Sequence, residues 1–265
     1  MQLSICIVTY NHSKYIKECI EGVLNQKFNY EYEILIFDDF SIDDTLNICK
    51  EYSLKYPNLI KVISNSQNMG MASNFYKALN SCSGNYIAIC EGDDYWITDS
   101  KLIAQYEYIN SNSNCNLIFH DVNIIGSSKP DSYYFNSSKK NILNFKDILL
   151  THQIPTCSMM IRRAALTNKI SKIFYKFPVC DIPVHLILTE RGYAFHLREK
   201  LSVYRVNEFS ITNNKNRNSD RYIRLIKMYF SLLLVFNFKY LHIFLYKIIR
   251  SFVGYIKESV FKIWY

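Results

Sequence analysis

Glycine is scarce in this chain: its 265 residues include only seven glycines, and no two of them lie close together. The sequence therefore has neither a Gly-x-Gly-x-x-Gly fingerprint nor the Gly-rich loop of P-loop proteins. Both motifs bind phosphate through backbone N–H groups that approach it closely, which requires clustered glycines. Their absence excludes a dinucleotide-dependent dehydrogenase and a P-loop kinase.

Cysteine pairs at metal-binding or redox spacing are also missing. The eight cysteines are scattered, and none forms a Cys-x-x-Cys pair, which is typical of buried thiols in a reducing compartment. The N-terminal residues lack the basic region, apolar run and small-residue cleavage site of a secretory signal. We therefore expect a cytoplasmic protein.

Basic stretches are missing from most of the chain, although its formal net charge is +8. Residues 220–265 contain eight Lys or Arg against two acidic residues, so the rest of the chain is nearly neutral. Residues 1–219 carry no basic stripe with interleaved aromatic residues, which argues against a nucleic-acid partner. The 49% of hydrophobic residues, with 22 Tyr and 17 Phe, are enough for one large folded core.

Hydrophobic patterns predict alternating strands and helices in the first 110 residues. Unbroken β-prone runs over residues 3–9, 33–39, 59–64 and 86–90 predict strands buried on both faces of a sheet. Apolar residues at helical spacing between them predict helices, the first over residues 14–25. Such alternation implies parallel strands joined by right-handed crossovers. The predicted fold class is therefore α/β, with helices on both faces of a mostly parallel sheet.

Three of these predicted strands end in polar or acidic clusters. Parallel strands place their carboxyl ends at one sheet edge, where α/β proteins bind ligands. Five carboxylates converging there repel one another unless a hard cation compensates them. With no Gly-rich phosphate cradle available, the sequence favours metal-bridged phosphate binding through Mg²⁺ or Mn²⁺. The clusters are Thr9, Tyr10 and Asn11, then Asp38 and Asp39, then Glu91, Asp93 and Asp94.

Four segments, in order along the chain, resemble the signature segments of family 2 glycosyltransferases. They are SICIVTYNHSKYIKECIEGVLNQ, EILIFDDFSIDDT, NMG and IAICEGDDYW, and the later CDIPVHLILTERGYAFHLREKLSVYRVNEFSIT resembles the acceptor-side region of that family. The resemblance covers about residues 3–212. It implies a GT-A-type, Rossmann-like catalytic domain over residues 1–219, with residues 1–110 binding the nucleotide sugar and 111–219 forming the acceptor side. Enzymes of this family mostly invert the anomeric carbon.

Carried over by position, the resemblance assigns the first two clusters to the nucleotide sugar. Thr9, Tyr10 and Asn11 are expected near the nucleotide. Asp39 is expected to bind the nucleoside base or ribose, with Asp38 beside it.

The third cluster matches the Asp-x-Asp metal motif of the family. Glu91 stands where the first Asp is usual, so metal ligation is expected chiefly from Asp93, which also contacts the donor, with Asp94 next. Asp181, which precedes Ile-Pro and a helix, matches the catalytic base. An Asp-x-Pro before an apolar helix is also a good helix cap, so a purely structural role for Asp181 stays open.

Several positions depart from the family pattern or permit two interpretations. Phe40 stands where a small residue is common, and Asn207 stands where some members have a His that could bind metal. Trp96 could stack on a sugar or fill the core. Arg205 could meet phosphate, although a paired arginine is more usual at a strand end.

The chain ends in a basic and hydrophobic tail over residues 220–265. Its longest uncharged run, residues 228–238, is too short for a membrane span, which needs about 20 residues. We predict an amphipathic helical hairpin at an anionic membrane surface, with basic residues facing lipid. The alternative is packing on the catalytic domain or in a dimer. The basic residues concerned are Lys239, Lys247, Arg250, Lys257 and Lys262.

The sequence therefore predicts transfer of a sugar, from a nucleotide-diphosphate sugar and most simply a UDP-sugar, to a hydroxyl of a glycan or lipid-linked saccharide. The expected setting is cell-surface polysaccharide or glycoconjugate synthesis at the inner face of the plasma membrane. A nucleotidyltransferase acting on a sugar phosphate would also use carboxylates to hold a metal ion. Such an enzyme is expected to have a Gly-rich nucleotide-binding loop after the first strand, which this sequence lacks. A non-catalytic nucleotide- or glycan-binding scaffold is the third reading, and the four acids at 91, 93, 94 and 181 argue against it.

Overall fold

The structure of the chain is a computed structural model that describes residues 1–127, 140–151, 154–166, 174–175, 177–207 and 220–261. The end of the acceptor-side segment, residues 208–212, lies outside these ranges, as does Lys262.

The first half of the chain alternates strands and helices as its hydrophobic pattern predicts. The strands carry apolar side chains on both faces, and all residues of the first strand except Val8 are buried. The elements are β1 (Leu3–Thr9), α1 (Ile16–Leu24), β2 (Tyr32–Asp38), α2 (Thr45–Lys55), β3 (Ile60–Ser64), α3 (Met71–Ser81) and β4 (Tyr86–Glu91).

The second half is less regular and adds both strands and helices. Two single 3₁₀ turns, over Thr156–Ser158 and Arg163–Ala165, accompany them. The elements are β5 (Tyr95–Trp96), α4 (Lys101–Ser111), β6 (Cys115–Ile125), β7 (Ile142–Leu143), α5 (Phe145–Thr151), β8 (Met160–Arg162), α6 (Asp181–Glu190), β9 (Tyr193–Arg205), α7 (Asp220–Val235) and α8 (Leu241–Phe261).

One sheet connects all these strands in the order β3-β2-β1-β4-β8-β6-β9-β5, with β7 beside β9. The strands β1 to β4 are parallel, which confirms the prediction for the first half. The second half makes the sheet mixed, because β8 is antiparallel to β4 and β6, and β5 and β7 are antiparallel to β9. The chain reverses its strand order between β1 and β4, and this is the point where open α/β sheets bind ligands.

The register of the parallel strands brings the predicted clusters to this point. Thr9 of β1 lies opposite Asp38 of β2, and Val8 lies opposite Glu91 of β4. Two apolar layers cover the sheet. One contains side chains of α1, α2 and α4, and the other contains side chains of α3, α5, α6, α7 and α8. The C-terminal helices therefore share a core with α6, the helix that begins at Asp181.

The C-terminal hairpin, α7 and α8, packs one face on α5. Phe145 of α5 contacts the rings of Phe236, Tyr240 and Phe244 at centroid distances of 4.9, 4.7 and 6.5 Å. Lys247, expected to face lipid, is buried and donates a hydrogen bond to the carbonyl oxygen of Leu150 at 2.7 Å. That expectation was wrong for Lys247, because its side chain lies on the inner face of α8.

The opposite face of the hairpin is exposed and apolar. In α8 the exposed residues recur at helical spacing, so they form one continuous stripe. Within the described ranges, no helix is both long enough and apolar enough to cross a membrane. The outer stripe comprises Leu241, Leu245, Ile249, Phe252 and Ile256 of α8, with Phe230 and Leu234 of α7 also exposed.

Candidate active site at the carboxyl edge of the sheet

The Asp38 carboxylate organises the loop that follows β2. It is fully buried and accepts hydrogen bonds from the Ser41 backbone N–H at 3.1 Å, the Ser41 hydroxyl at 2.5 Å and the Ser64 hydroxyl at 3.1 Å. Phe40, which lies between Asp38 and Ser41 in the chain, has a φ of 63° and an exposed side chain. This left-handed conformation favours glycine, which explains why a small residue suits the position.

The Asp39 carboxylate is buried and holds the loop before α3. Its Oδ1 accepts hydrogen bonds from the Asn65 amide and the Met69 backbone N–H, and its Oδ2 accepts one from the Gly70 backbone N–H, all at 2.8 Å. These contacts fix the loop beyond β2 and β3, which borders the candidate cleft at the carboxyl ends of β1, β2 and β4. Contact between Asp39 and a nucleoside stays a prediction.

The last residue of β1, Thr9, and the two residues after it have three different environments. Tyr10 is exposed, whereas the Thr9 side chain is buried. Asn11 has a φ of 54°, its backbone N–H donates to the Ser41 hydroxyl at 2.9 Å, and its side-chain oxygen accepts from the Ile42 backbone N–H at 2.9 Å. Asn11 therefore joins the loops after β1 and β2, and Tyr10 is the residue of the three that is open to a ligand.

His12 is a residue of the cleft that the sequence interpretation missed. Its Nδ1 lies 3.2 Å from the Thr9 hydroxyl, and its Nε2 lies 3.9 Å from Oδ2 of Asp93. Its backbone N–H donates to the Thr45 hydroxyl at 2.8 Å. No pattern in the sequence singled out His12, because its partners Asp93 and Thr45 lie far from it in the chain and only the fold brings them together.

The loop after β4 is held by the end of β9. The backbone N–H of Arg205 donates to Oδ1 of Asp94, and its Nε donates to the carbonyl oxygen of Asp93, both at 2.8 Å. Asn207 donates a side-chain hydrogen bond to Oδ2 of Asp93 at 3.1 Å. The Arg205 guanidinium also pairs with Glu18 at 2.6 Å. Arg205 is therefore a paired group that fixes the loop after β4. We call residues 91–94, which contain Glu91, Asp93 and Asp94, the acidic loop.

The acidic loop concentrates negative charge in a poorly solvated position. Burial raises the pKa of the Glu91 carboxyl well above its ordinary value, and the charges of Asp94, Asp93 and Asp181 raise it further. Burial and the charge of Asp93 likewise raise the pKa of Asp94. The structure thus brings Glu91, Asp93, Asp94 and Asp181 within electrostatic range of one another.

Asp181 is the first residue of α6, at the cleft. Cys180 precedes the helix as its cap residue and makes no side-chain cap hydrogen bond. Asp181 accepts a hydrogen bond from the backbone N–H of Ile182 at 2.8 Å, and the Tyr76 hydroxyl fixes the start of the helix by donating to the Cys180 carbonyl at 2.6 Å. The carboxylate is partly exposed, so it is available to a ligand.

Trp96 belongs to the core beneath the acidic loop. It is buried, its indole N–H donates to the Cys157 carbonyl at 2.9 Å, and the amine of Lys101 lies 3.7 Å from its ring centroid. The structure therefore supports the core interpretation of Trp96 over sugar stacking.

The acidic loop fits a divalent ion that shares its coordination with a bound ligand. Asp93 is partly exposed, whereas Asp94 is buried and its Oδ2 has no hydrogen-bond partner among the described residues. The described part of the chain contains no group of three His, Cys, Asp or Glu side chains that could hold a metal ion alone. Mg²⁺ is commonly held by one or two carboxylates together with substrate phosphates. The geometry therefore favours Asp93 as the main protein ligand.

Solved structures share this fold at low sequence identity. The Staphylococcus aureus protein TarS, residues 1–349 in complex with UDP-GlcNAc, matches with a TM-score of 0.67 and 21% identity over 88% of this chain and 67% of that one. The mannosyltransferase PcManGT from Pyrobaculum calidifontis, in complex with GDP-Man and Mn²⁺, matches with a TM-score of 0.67 and 13% identity. The match covers 98% of this chain and 75% of PcManGT. The architecture is a GT-A fold.

The sequence defines the family more narrowly. The model of Glycosyl transferase family 2 matches residues 4–167, which is more than half of the chain. The chain belongs to glycosyl transferase family 2.

Relatives of this chain come from several bacteria. Rv1520, an uncharacterized protein of Mycobacterium tuberculosis, is 32% identical over 208 residues, or 77% of this chain and 58% of its own length. The chain thus spans a little over half of that relative. The dTDP-rhamnosyl transferase RfbG of Shigella flexneri is 28% identical over 76% of this chain and 72% of its own. TuaG of Bacillus subtilis, a putative teichuronic acid biosynthesis glycosyltransferase, is 29% identical over 80% of this chain and 82% of its own length.

Proposed function

We propose that this protein transfers a sugar from a nucleotide-diphosphate sugar to a hydroxyl of a glycan or lipid-linked glycan, with inversion at the anomeric carbon. The observation that carries the proposal is the meeting of the strand-end clusters of β1, β2 and β4 with Asp181 of α6 at one edge of the sheet. Family membership favours this activity over nucleotidyl transfer and over a non-catalytic scaffold.

In this proposal Asp181 accepts the proton of the attacking acceptor hydroxyl. The hydroxyl oxygen then forms a bond to the anomeric carbon as the bond to the diphosphate breaks on the opposite side, which inverts the stereochemistry. Asp93, with Asp94 and Glu91 behind it, would hold Mg²⁺ or Mn²⁺, which offsets the negative charge of the diphosphate. Thr9, Tyr10, Asn11, Asp38 and Asp39 form or support the nucleotide side of the cleft.

The relatives suggest donor chemistry without selecting one nucleoside. TarS was solved with UDP-GlcNAc, PcManGT with GDP-Man and Mn²⁺, and RfbG is a dTDP-rhamnosyl transferase. We propose a UDP-sugar as the first candidate. As the setting we propose synthesis of a cell-surface polysaccharide or glycoconjugate, since TuaG is named as a putative teichuronic acid biosynthesis glycosyltransferase.

We expect the full-length chain with Mn²⁺ to be stabilised by one class of UDP-, GDP- or dTDP-sugars. A ligand at 100 times its Kd adds about 2.7 kcal/mol to stability, which corresponds to a rise in melting temperature of several degrees for a chain of this size. Thermal unfolding with each sugar nucleotide measures this. Stabilisation by none of them, with no hydrolysis or transfer, would contradict the proposed function.

Association with an anionic membrane surface at the cytoplasmic face is the second part of the proposal. The outer stripe of α8 is apolar and exposed, and the exposed basic residues Lys239, Arg250 and Lys257 lie beside it. Lipid headgroups match that combination, because apolar side chains enter the interface while basic ones contact anionic lipid. Burial raises the pKa of the Tyr229 hydroxyl in α7 to about 12, and the charge of Asp181 adds to the increase. α7 shares a core with α6, the helix that begins at Asp181, and in this proposal a lipid-linked acceptor would be presented there.

We expect Ile249→Glu and Phe252→Glu each to reduce binding to vesicles of anionic lipid by about tenfold or more, because each removes an inserted side chain and adds a repelled charge. Co-sedimentation of the protein with these vesicles at low salt measures the binding. The matched control is Leu54→Glu, an exposed apolar residue of α2 away from the hairpin. Equal binding of all three variants, or no binding by the unaltered chain, would contradict the membrane proposal. Deletion of the hairpin is a poorer test, since its inner face is part of the core.

A further inference from the structure

We propose that the imidazole of His12 is a ligand of the divalent ion held by Asp93, an inference that rests on the metal-assisted transfer proposed above. The loop after β1 would then contribute directly to the metal centre. His12 would supply a nitrogen ligand where Asn207 replaces the His of some family members.

The distance between the two side chains fits one shared ion. His12 Nε2 lies 3.9 Å from Asp93 Oδ2, and both side chains are partly exposed to the cleft. Bonds from small divalent ions to nitrogen or oxygen are about 2.0–2.2 Å long, so two ligands of one ion lie at most about 4.4 Å apart. In octahedral coordination, adjacent ligand atoms lie about 3.0 Å apart and opposite ones about 4.2 Å apart, so a side-chain shift of about 0.3 to 1 Å brings both atoms onto one ion.

One tautomer of the imidazole suits this role. With the ring proton on Nδ1 and donated to the Thr9 hydroxyl at 3.2 Å, Nε2 presents a lone pair toward Asp93. Metal-bound histidines usually donate the other ring N–H to a fixed acceptor in this way. The hydrogen bond from the His12 backbone N–H to the Thr45 hydroxyl fixes the loop itself. In this arrangement Thr9 acts on the metal centre through His12.

The close approach of the two loops depends on Gly92. A Cβ atom at that position would lie 2.5 Å from the Thr9 hydroxyl oxygen and 2.9 Å from His12 Nδ1, which is closer than atoms in contact allow. The glycine therefore lets the acidic loop lie directly against the ring. Asp94 is buried and its Oδ1 accepts the Arg205 backbone N–H, so its carboxylate is less open than the partly exposed His12 ring.

This inference is tested by measuring Mn²⁺ binding to the full-length chain in the presence of UDP. GDP or dTDP replaces UDP if either of them binds more tightly. We expect Mn²⁺ to bind in the presence of the diphosphate and pulsed electron paramagnetic resonance to show a directly coordinated imidazole nitrogen. His12→Gln should remove that nitrogen signal and weaken Mn²⁺ affinity by about tenfold or more. The matched control, His242→Gln, changes an exposed residue of α8 and should alter neither.

Three outcomes overturn the inference. Mn²⁺ bound with the diphosphate but without a nitrogen signal removes His12 as a ligand and leaves the proposed function intact. A loss of UDP affinity in His12→Gln that persists in excess chelator shows direct contact of His12 with phosphate instead. No Mn²⁺ binding to the unaltered chain with any of the diphosphates overturns both the metal-assisted function and the role of His12.

Discussion

Asp181→Asn is expected to lower the rate of sugar transfer by about 100-fold or more, because the amide cannot accept the proton of the acceptor hydroxyl. Donor affinity should change little, since Asp181 begins α6 and the predicted donor contacts lie on β1, β2 and β4. The amide oxygen can still accept the hydrogen bond from the Ile182 backbone N–H, so the start of the helix is preserved. Transfer rates at saturating donor and acceptor, with donor affinity measured separately, check the prediction.

A second aspartate near a helix start provides the control for Asp181. Asp147 of α5 accepts a hydrogen bond from the Asn144 backbone N–H at 3.1 Å, and Asn144 accepts one from the Asp147 backbone N–H at 3.1 Å. Asp147→Asn makes the same chemical change away from the acidic loop and should leave transfer near the unaltered rate. If Asp181→Asn folds, binds donor and transfers as fast as Asp147→Asn, Asp181 has only a structural role.

Asp93→Asn is expected to abolish the increase in nucleoside diphosphate affinity that Mn²⁺ or Mg²⁺ produces, an increase of about tenfold or more in the unaltered chain. Without the ion, the diphosphate and the carboxylates of the acidic loop repel one another. The variant keeps an oxygen that can accept the hydrogen bond from Asn207, so loop geometry should persist. Titration of UDP with Mn²⁺ and with excess chelator measures the increment.

Asp94→Asn is the companion to this experiment. Its side-chain oxygen can still accept the Arg205 backbone N–H, and its burial keeps it from the cleft. We therefore expect Asp94→Asn to retain most of the metal-dependent increment. Metal-independent nucleotide binding by the unaltered chain would contradict metal assistance, and an equal loss in both variants would assign ligation to Asp94 as well.

Local pattern was sufficient for the parallel half of the sheet. The strands over β1 to β4 are unbroken apolar runs with helices of clear periodicity between them, and short crossovers allow essentially one handedness. The acidic clusters could be placed at one edge for the same reason. The antiparallel strands β5, β7 and β8 are only two or three residues long, too short for a periodic signal, and their pairing with β4, β6 and β9 is set by tertiary contact.

The tail shows the limit of a one-dimensional pattern. Its basic and apolar composition predicts helices with both kinds of surface, and helices α7 and α8 are present. The pattern could not say which apolar residues face the domain and which face outward, since both sets are large and hydrophobic. Packing against α5 decided this, burying Phe236, Phe244 and Lys247 and leaving Ile249 and Phe252 exposed.

The sequence by itself determined the α/β class, the family and the chain positions of the acids, because these follow from periodicity and from motifs contiguous in the chain. Only the tertiary structure decided which acids are open and which are buried, and which groups orient them. Asp93 lies near His12 from the loop after β1 and contacts Asn207 from beyond β9, while Arg205 fixes Asp94 across more than 100 residues of chain. Such contacts depend on strand order and loop approach, and no local residue pattern encodes them.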